Sequence, residues 1–106
     1  MNKTVIIPCF NEKQTILKVV EKVKRNLDKE DEIIIVDDYS EDGSRELLSK
    51  LNDPIIKIIY HDKNYGKGKS INTALKENLK EIVIIQDADL EYNPDEYETL
   101  LEPFEK

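Results

Sequence analysis

A chain of 106 residues, 39% hydrophobic and 37% charged, is long enough for one compact domain with a hydrophobic core and too short for two. Its net charge of −7 argues against DNA or RNA as the main partner, because a phosphate backbone needs a basic surface. No apolar stretch approaches the roughly 20 residues that cross a bilayer, and MNKTVIIPCF lacks the apolar core and cleavage site of a signal peptide. Together with a single cysteine, Cys9, these features predict a cytoplasmic protein.

The first half of the chain predicts two strands, each followed by a helix. Residues 3–8 (KTVIIP) form a short apolar run that ends at a proline, which is typical of a buried parallel strand. Residues 14–27 place apolar side chains on one helix face and lysines on the other, the apolar ones being Ile16, Val20, Val23 and Leu27. Residues 32–37 (EIIIVD) predict the second strand. The turn-rich stretch SEDGS then leads into a second helix, marked by Leu47, Leu48 and Leu51.

The second half of the chain continues this alternation. Strands are predicted at residues 55–60 and 82–86, and the helix between them has an apolar face formed by Ile71, Ala74, Leu75 and Leu79. A fourth helix begins at Asn93 and Pro94, and its apolar face consists of Tyr97, Leu100, Leu101 and Phe104. The alternation predicts an α/β fold in which a parallel sheet carries helices on both faces. We expect residues 1–106 to form a single domain, since no linker or repeat divides the sequence.

Polar and acidic residues follow every predicted strand. The four stretches, in chain order, are PCFNE, DDYSEDGS, HDKNYGKGKS and DADLE. In an open parallel sheet, ligands bind beyond the carboxyl ends of the strands, where the strand order reverses. We therefore expect these stretches to meet at one edge of the sheet and to form the ligand site.

Asp87 and Asp89 place two carboxylates at the end of the last predicted strand. Such positions lie about 6.6 Å apart along an extended strand, so the backbone must turn at the small residue Ala88 if both are to approach one ion. Carboxylate oxygens are ligands of hard cations such as Mg²⁺ or Mn²⁺, and Glu91 could bind the same ion or hold a water molecule. Taken alone, such a pair more often consists of solvated loop residues.

Asp37 and Asp38 follow the clearest of the predicted strands. The stretch DDYSEDGS is rich in turn-forming residues, so a structural turn is the simpler interpretation. The functional alternative is that one carboxylate accepts a hydrogen bond from a ring N–H or a sugar hydroxyl, as acidic residues at strand ends do in dinucleotide sites.

The stretch GKGKS, residues 66–70, is similar to the end of a phosphate-binding P-loop, GxxxxGK[ST]. The first glycine of that motif would fall at position 63, which is Lys63, so a glycine turn before a helix N-terminus is the simpler interpretation. Such a turn still offers a modest anion site. Cys9 is expected to be a small buried residue and not a nucleophile, and His61 a loop residue without a catalytic role.

Four motifs together resemble a known family. VIIPCFNE, IIIVDDYSEDGS, NYGKGKSINTAL and IIQDADLEYNPDEY, in this order and spacing, resemble the nucleotide-sugar-binding half of the family 2 inverting glycosyltransferases, and most of all the dolichol-phosphate mannose synthase group. The resemblance implies part of a Rossmann-like nucleotide-diphospho-sugar transferase fold of the GT-A type. It also implies metal-dependent transfer of a sugar from a GDP- or UDP-linked donor, with Mg²⁺ or Mn²⁺ as the cofactor.

The resemblance assigns the base and ribose of the donor to residues after the first two strands. Pro8, Phe10 and Glu12 match the segment that borders the base and ribose. Asp38 matches the residue that hydrogen-bonds the nucleobase, and Asp37 matches its supporting partner.

The diphosphate and the metal are assigned to later residues by the same resemblance. Asp87, Ala88 and Asp89 match the DxD motif, which holds the metal and contacts ribose and diphosphate. Glu91 matches a position that can add a metal ligand, and residues 64–68 match a loop near the nucleotide whose lysine has no assigned atomic role.

Two interpretations of the function stay open, because family members are usually much longer and carry the acceptor site in their second half. In the first, the chain is a glycosyltransferase catalytic domain. Its acceptor would be a polyprenyl phosphate, already ionised at oxygen, and the protein would lie peripherally at the cytoplasmic face of a membrane. In the second, it is a nucleotide or nucleotide-sugar binding module without transferase activity of its own. A homo-oligomer would favour the first, since a second copy would cover the sheet edge and apolar surface.

Overall fold

The computed structural model describes residues 1–89, in which strands and helices alternate. The strands are β1 (Lys3–Cys9), β2 (Glu32–Asp37), β3 (Ile56–Tyr60) and β4 (Ile82–Ile85). The helices are α1 (Ile16–Arg25), α2 (Ser44–Ser49) and α3 (Lys67–Leu75). Each element lies in the region that the sequence pattern predicts, but α2 ends before Leu51 and α3 before Leu79, both of which pack against the core from the segments that follow. Leu75, predicted on the apolar face of α3, is 45% exposed. The predicted fourth helix, which begins at Asn93, lies outside the described residues.

Helix α1 ends at Arg25, before the predicted end at Leu27. The amide of Leu27 donates to the carbonyl of Lys24 at 3.1 Å, and this shorter spacing closes a turn instead of extending the α-helix. Leu27 still packs against the core, so its apolar periodicity continues past the last helical residue. None of the three helices in this part of the chain has the length and apolar character needed to span a membrane.

The strands pair in parallel, in the order β3-β2-β1-β4. β1 therefore has a neighbour on each side, and the strand order reverses there: β2 and β3 extend the sheet in one direction and β4 extends it in the other. Every residue of β1 is buried, which explains its nearly continuous apolar sequence. The reversal at β1 predicts a ligand site beyond the carboxyl end of this strand.

Successive residues of β1 and β2 point to opposite faces of the sheet and build two apolar layers. The layer that packs with α1 and α2 contains Val5, Ile7, Ile33 and Ile35. The layer that packs with Ala74 of α3 contains Ile6, Ile34 and Val36. Helices therefore cover both faces, as the sequence predicts.

The sheet is less well covered at β4. Ile6 pairs with Ile85, so Ile85 and Val83 point to the same face as α3. Their side chains remain 47% and 37% exposed, respectively. In the part of the chain that the structure describes, the α3 layer thus covers β1 and β2 better than β4.

Removing a buried side chain from the α3 layer should destabilise the fold. Ile6 is fully buried on the central strand, so we expect Ile6→Ala to lower the free energy of unfolding by about 2–5 kcal/mol. The same change at the exposed Ile85 should alter it by only about 0.5 kcal/mol. Urea unfolding of both variants measures the two values, and equal losses would contradict the assignment of the core.

Candidate functional site

A cleft of about 470 Å³ lies at the carboxyl ends of the strands. Its size falls within the range of small-molecule sites. The cleft is lined by residues from all four stretches that follow the strands, namely Pro8, Cys9, Phe10, Glu12, Asp38, Asn64, Gly66, Lys67, Ser70, Asp87, Ala88 and Asp89. The parallel sheet therefore brings the four stretches to one edge, as predicted.

Of the predicted site residues that the structure describes, all but Asp37 line this cleft. Those that do are Pro8, Phe10, Glu12, Asp38, Asp87, Ala88 and Asp89. Asp37 is fully buried below it. Glu91 lies outside the described residues, so its predicted role as a metal ligand stays a prediction.

Asp37 is buried at the end of β2, beneath a cluster of more exposed side chains. Its Oδ2 atom lies 3.2 Å from the Nε of Arg45 and accepts a hydrogen bond from the amide of Ser40 at 3.0 Å. The guanidinium of Arg45 lies 4.9 Å from the ring centroid of Tyr60 and 5.6 Å from that of Tyr39, as in cation–π contacts. Asp37 thus fixes the turn after β2 and lies too deep to line the cleft, and its predicted support of Asp38 stays a prediction.

Asp38 joins the end of β2 to the loop that precedes α3. Its Oδ1 accepts a hydrogen bond from the amide of Tyr65 at 2.8 Å, and its Oδ2 accepts one from the amide of Gly66 at 2.8 Å. The Nδ1 of His61 lies 2.8 Å from Oδ1. Burial alone raises the pKa of the Asp38 carboxyl, but the hydrogen bonds from His61, Tyr65 and Gly66 hold that pKa below its usual value of 3.8.

Gly66 is the residue that lets the loop reach Asp38. Its φ is 98°, a conformation that residues with a Cβ rarely adopt, and it immediately precedes the first residue of α3. The amide of Gly66 can therefore point at Asp38 while the following residues begin the helix. The glycine turn predicted for GKGKS is present.

His61 supports the cleft residue Asp38, a contact that the sequence pattern did not predict. It follows β3 as a loop residue, as expected, but it is 8% exposed, and its Nε2 lies 2.9 Å from the hydroxyl oxygen of Thr73 on α3. The register between β2 and β3 explains why His61 lies beside Asp38. Because Asp37 pairs with Tyr60, the next residue of each strand, Asp38 and His61, must also be neighbours. The sequence feature that indicates this contact is the position of His61 directly after β3, the neighbour of the strand that leads into Asp38.

The segment after β4 turns at Ala88, as predicted from the spacing of Asp87 and Asp89. Ala88 is 4% exposed, and its carbonyl accepts a hydrogen bond from the hydroxyl of Thr15 at 2.5 Å. The Oδ1 of Asp87 lies 2.5 Å from the Nζ of Lys67. Ala88 belongs to the buried core cluster, so the turn between the two carboxylates is held against the core.

The donor set of the cleft fits a divalent cation, although residues 1–89 contain no group of three His, Cys, Asp or Glu side chains arranged as a metal site. Asp87 and Asp89 both line the cleft. A Mg²⁺ ion in a nucleotide site typically takes one or two protein carboxylates and completes its shell with phosphates and water. Asp87 and Asp89 thus provide the number of protein carboxylates that such a cation typically takes.

Cys9 lies in the cleft wall, but its chemistry is that of a packing residue. Its side chain is 1% exposed, and burial, followed by the charge of Asp37, raises the pKa of the thiol to about 12. The thiol is therefore protonated at neutral pH. The expectation that Cys9 is a buried residue and not a nucleophile agrees with this position.

The sequence matches a protein family over nearly its whole length. Residues 4–106 match the family described as Glycosyl transferase family 2. The undecaprenyl-phosphate 4-deoxy-4-formamido-L-arabinose transferase of Pectobacterium carotovorum is 36% identical over 108 residues, which cover 95% of this chain and 33% of that protein. The chain thus spans about a third of the length of this relative.

Solved structures share the fold. A mannosyltransferase from Pyrobaculum calidifontis, in complex with GDP-Man and Mn²⁺, is 31% identical with a TM-score of 0.70, covering 82% of this chain and 27% of that one. TarS from S. aureus in complex with UDP is 26% identical with a TM-score of 0.76, covering 97% of this chain and 32% of that one. These similarities confirm the predicted GT-A nucleotide-sugar transferase fold, of which this chain forms a part.

Asp38→Asn should destabilise the protein by about 2 kcal/mol at neutral pH, because the amide replaces an acceptor oxygen by a donor NH₂. The folded-state pKa of Asp38 is depressed, so the stability contributed by its carboxylate is present above 3.8. It is lost as the pH falls through the lower folded-state pKa. Urea unfolding at several pH values should show the difference between wild type and variant shrinking toward the most acidic pH.

The exposed Asp62, on the same loop, is the matched control. Its carboxylate accepts one hydrogen bond from the hydroxyl of Tyr65, so Asp62→Asn should change the free energy of unfolding by only about 0.5 kcal/mol. A pH-independent loss in Asp38→Asn, or an equal loss in both variants, would show that the Asp38 carboxylate does not hold the loop.

Proposed function

This chain belongs to glycosyl transferase family 2, and from that we propose that its cleft binds a nucleoside-diphosphate sugar together with a divalent cation and that the protein transfers the sugar to an acceptor. One observation carries this proposal. The carboxylate of Asp38, which follows β2, and those of Asp87 and Asp89, which follow β4, line one cleft. Core packing does not require such a gathering of acidic groups, whereas a cation-bound diphosphate does.

The base and ribose of the donor would lie against the segment after β1 and against Asp38. Pro8, Phe10 and Glu12 line that side of the cleft, and Phe10 is 44% exposed, which leaves its ring available to a base. The Oδ2 of Asp38 accepts one hydrogen bond from Gly66. A carboxylate oxygen has a further lone pair, which could accept from the N3–H of uracil or the N1–H of guanine. Both UDP- and GDP-linked donors therefore remain candidates, and the similar structures contain UDP or GDP-Man.

Asp87 and Asp89 would hold Mg²⁺ or Mn²⁺, with Glu91 as a proposed third ligand. Such a cation offsets the negative charge that develops on the leaving diphosphate. Ala88 lets the backbone turn between the two carboxylates, and the bond from Thr15 to its carbonyl fixes that turn. The protein's part is thus to present two carboxylates at fixed positions.

For the acceptor we propose a polyprenyl phosphate. The Pectobacterium relative is named as an undecaprenyl-phosphate transferase, and a phosphate oxygen is already ionised at neutral pH, so it needs little help from a general base. This acceptor implies a cytoplasmic protein that is peripheral at the membrane. We further propose that residues 1–106 are the donor-binding part of the catalytic domain and that a second copy of the chain covers its exposed apolar surface.

The donor site is tested by calorimetric titration of UDP and GDP, each with Mn²⁺, Mg²⁺ or EDTA. Wild type should bind one of the nucleotides with the metal, and Asp89→Ala should bind it at least tenfold more weakly, because a cation ligand is lost. Glu30→Ala removes an exposed charge before β2, at the opposite edge of the sheet, and should bind like wild type. Binding that is equal in Asp89→Ala and wild type would overturn the proposed metal site.

The acceptor is tested separately, by assaying sugar transfer to a polyprenyl phosphate and to a hydroxyl acceptor. We expect transfer to the phosphate only. Transfer to the hydroxyl alone would refute the proposed acceptor class. Metal-dependent nucleotide binding without transfer to either acceptor would instead support a binding module.

A further inference from the structure

Lys67 spans the cleft between α3 and the segment after β4. It is the first residue of α3, and its Nζ lies 2.5 Å from the Oδ1 of Asp87. Both residues line the cleft. The lysine side chain is 58% exposed and that of Asp87 is 21% exposed, so the ion pair lies at the open side of the cleft.

This ion pair places a protein cation on a carboxylate that the proposed function assigns to a metal ion. The Oδ1 of Asp87 cannot hold the ammonium at 2.5 Å and coordinate a cation in the same position. Solvent-exposed ion pairs of this kind are weak, so a divalent cation can displace the ammonium. Once displaced, Lys67 remains beside the same cleft with its positive charge.

The two residues that flank Lys67 add no side chains that could obstruct it. Gly66 and Gly68 flank it, and a Cβ added at either glycine would meet no other side chain or distant backbone within 4 Å. The N-terminus of α3 adds the positive end of a helix dipole on the same side. An anion that enters the cleft near Asp87 would therefore meet the ammonium without a steric obstacle from these neighbours.

We propose that Lys67 is a diphosphate-binding residue that exchanges partners when the donor binds. This inference rests on the proposed function. Without a donor, Lys67 neutralises Asp87. When a nucleoside diphosphate arrives with its cation, Asp87 binds the cation and the Lys67 ammonium binds a phosphate oxygen. Both side chains thus keep a partner of opposite charge. No covalent bond forms or breaks in this step.

Partner exchange predicts opposite effects on the two ligands when Lys67 is replaced. Lys67→Met removes the cation that competes for Asp87, so Mn²⁺ alone should bind up to about fivefold more tightly. The same variant lacks a charged donor to phosphate, so UDP or GDP in the presence of saturating Mn²⁺ should bind at least about tenfold more weakly. A general loss of structure would weaken both ligands and cannot produce opposite signs.

Lys69 provides the matched control on the same helix. It is exposed and does not line the cleft. Lys69→Met removes the same charge from the protein and should leave both affinities within about twofold of wild type. Lys67→Arg keeps the positive charge and should retain nucleotide binding, although its fork-shaped group differs from the point charge of lysine.

The measurements are Mn²⁺ titration followed by electron paramagnetic resonance of the free ion, and calorimetry of UDP and GDP with EDTA or Mn²⁺. Tighter Mn²⁺ and weaker nucleotide binding in Lys67→Met, against an unchanged Lys69→Met, would support the proposal. If Asp89→Ala loses nucleotide binding while Lys67→Met matches Lys69→Met, only this inference fails. If wild type binds no nucleotide with metal, both the inference and the proposed function fail.

Discussion

The central strand β1 pairs in parallel with β2 on one side and with β4 on the other, and the arrangement of the whole site follows from that pairing. Parallel strands place all their carboxyl ends at one edge. The segments that leave β1, β2, β3 and β4 are then neighbours, although they are far apart in sequence. The parallel pairing of the strands is therefore sufficient to bring residues of four segments into one cleft.

The buried carboxylate of Asp38 fixes the loop that forms one wall of the cleft at this edge of the sheet. Backbone amides donate to it from the loop before α3, and His61 links it to that helix through Thr73. A buried charge without such donors would be costly, whereas here the charged form is the favoured one. The same interaction therefore stabilises the loop and fixes the cleft wall that the loop contributes.

An acidic protein that binds an anionic ligand needs cations between its own carboxylates and the negative groups of the ligand. The net charge of −7 would otherwise repel a nucleoside diphosphate. In the arrangement proposed here, a divalent cation and the Lys67 ammonium lie between the protein carboxylates and the phosphates. The acidic composition then serves to attract the cation, and sequence composition alone does not exclude a phosphate-containing ligand.

Sequence periodicity was sufficient to predict the strands, the helices and the edge at which the site lies, because the apolar runs and the alternation of elements directly reflect burial in a parallel sheet. It also identified Asp38, Asp87 and Asp89, which follow strands without a packing reason. It did not distinguish Asp37 from the cleft residue Asp38, since which of these two buried carboxylates faces the cleft depends on Arg45 and the local turn. Nor did it find the contact between His61 and Asp38, which depends on the register between β2 and β3.

The single cysteine of the chain has a consequence for following the protein in solution. Cys9 lies in the cleft wall at the end of β1, with its thiol buried and protonated. An alkylating reagent can therefore reach it only when the end of β1 opens locally, so the rate of modification reports the free energy of that opening. The chain carries a natural chemical reporter of motion at its own cleft, which requires no introduced label and would register any ligand that holds the four segments together.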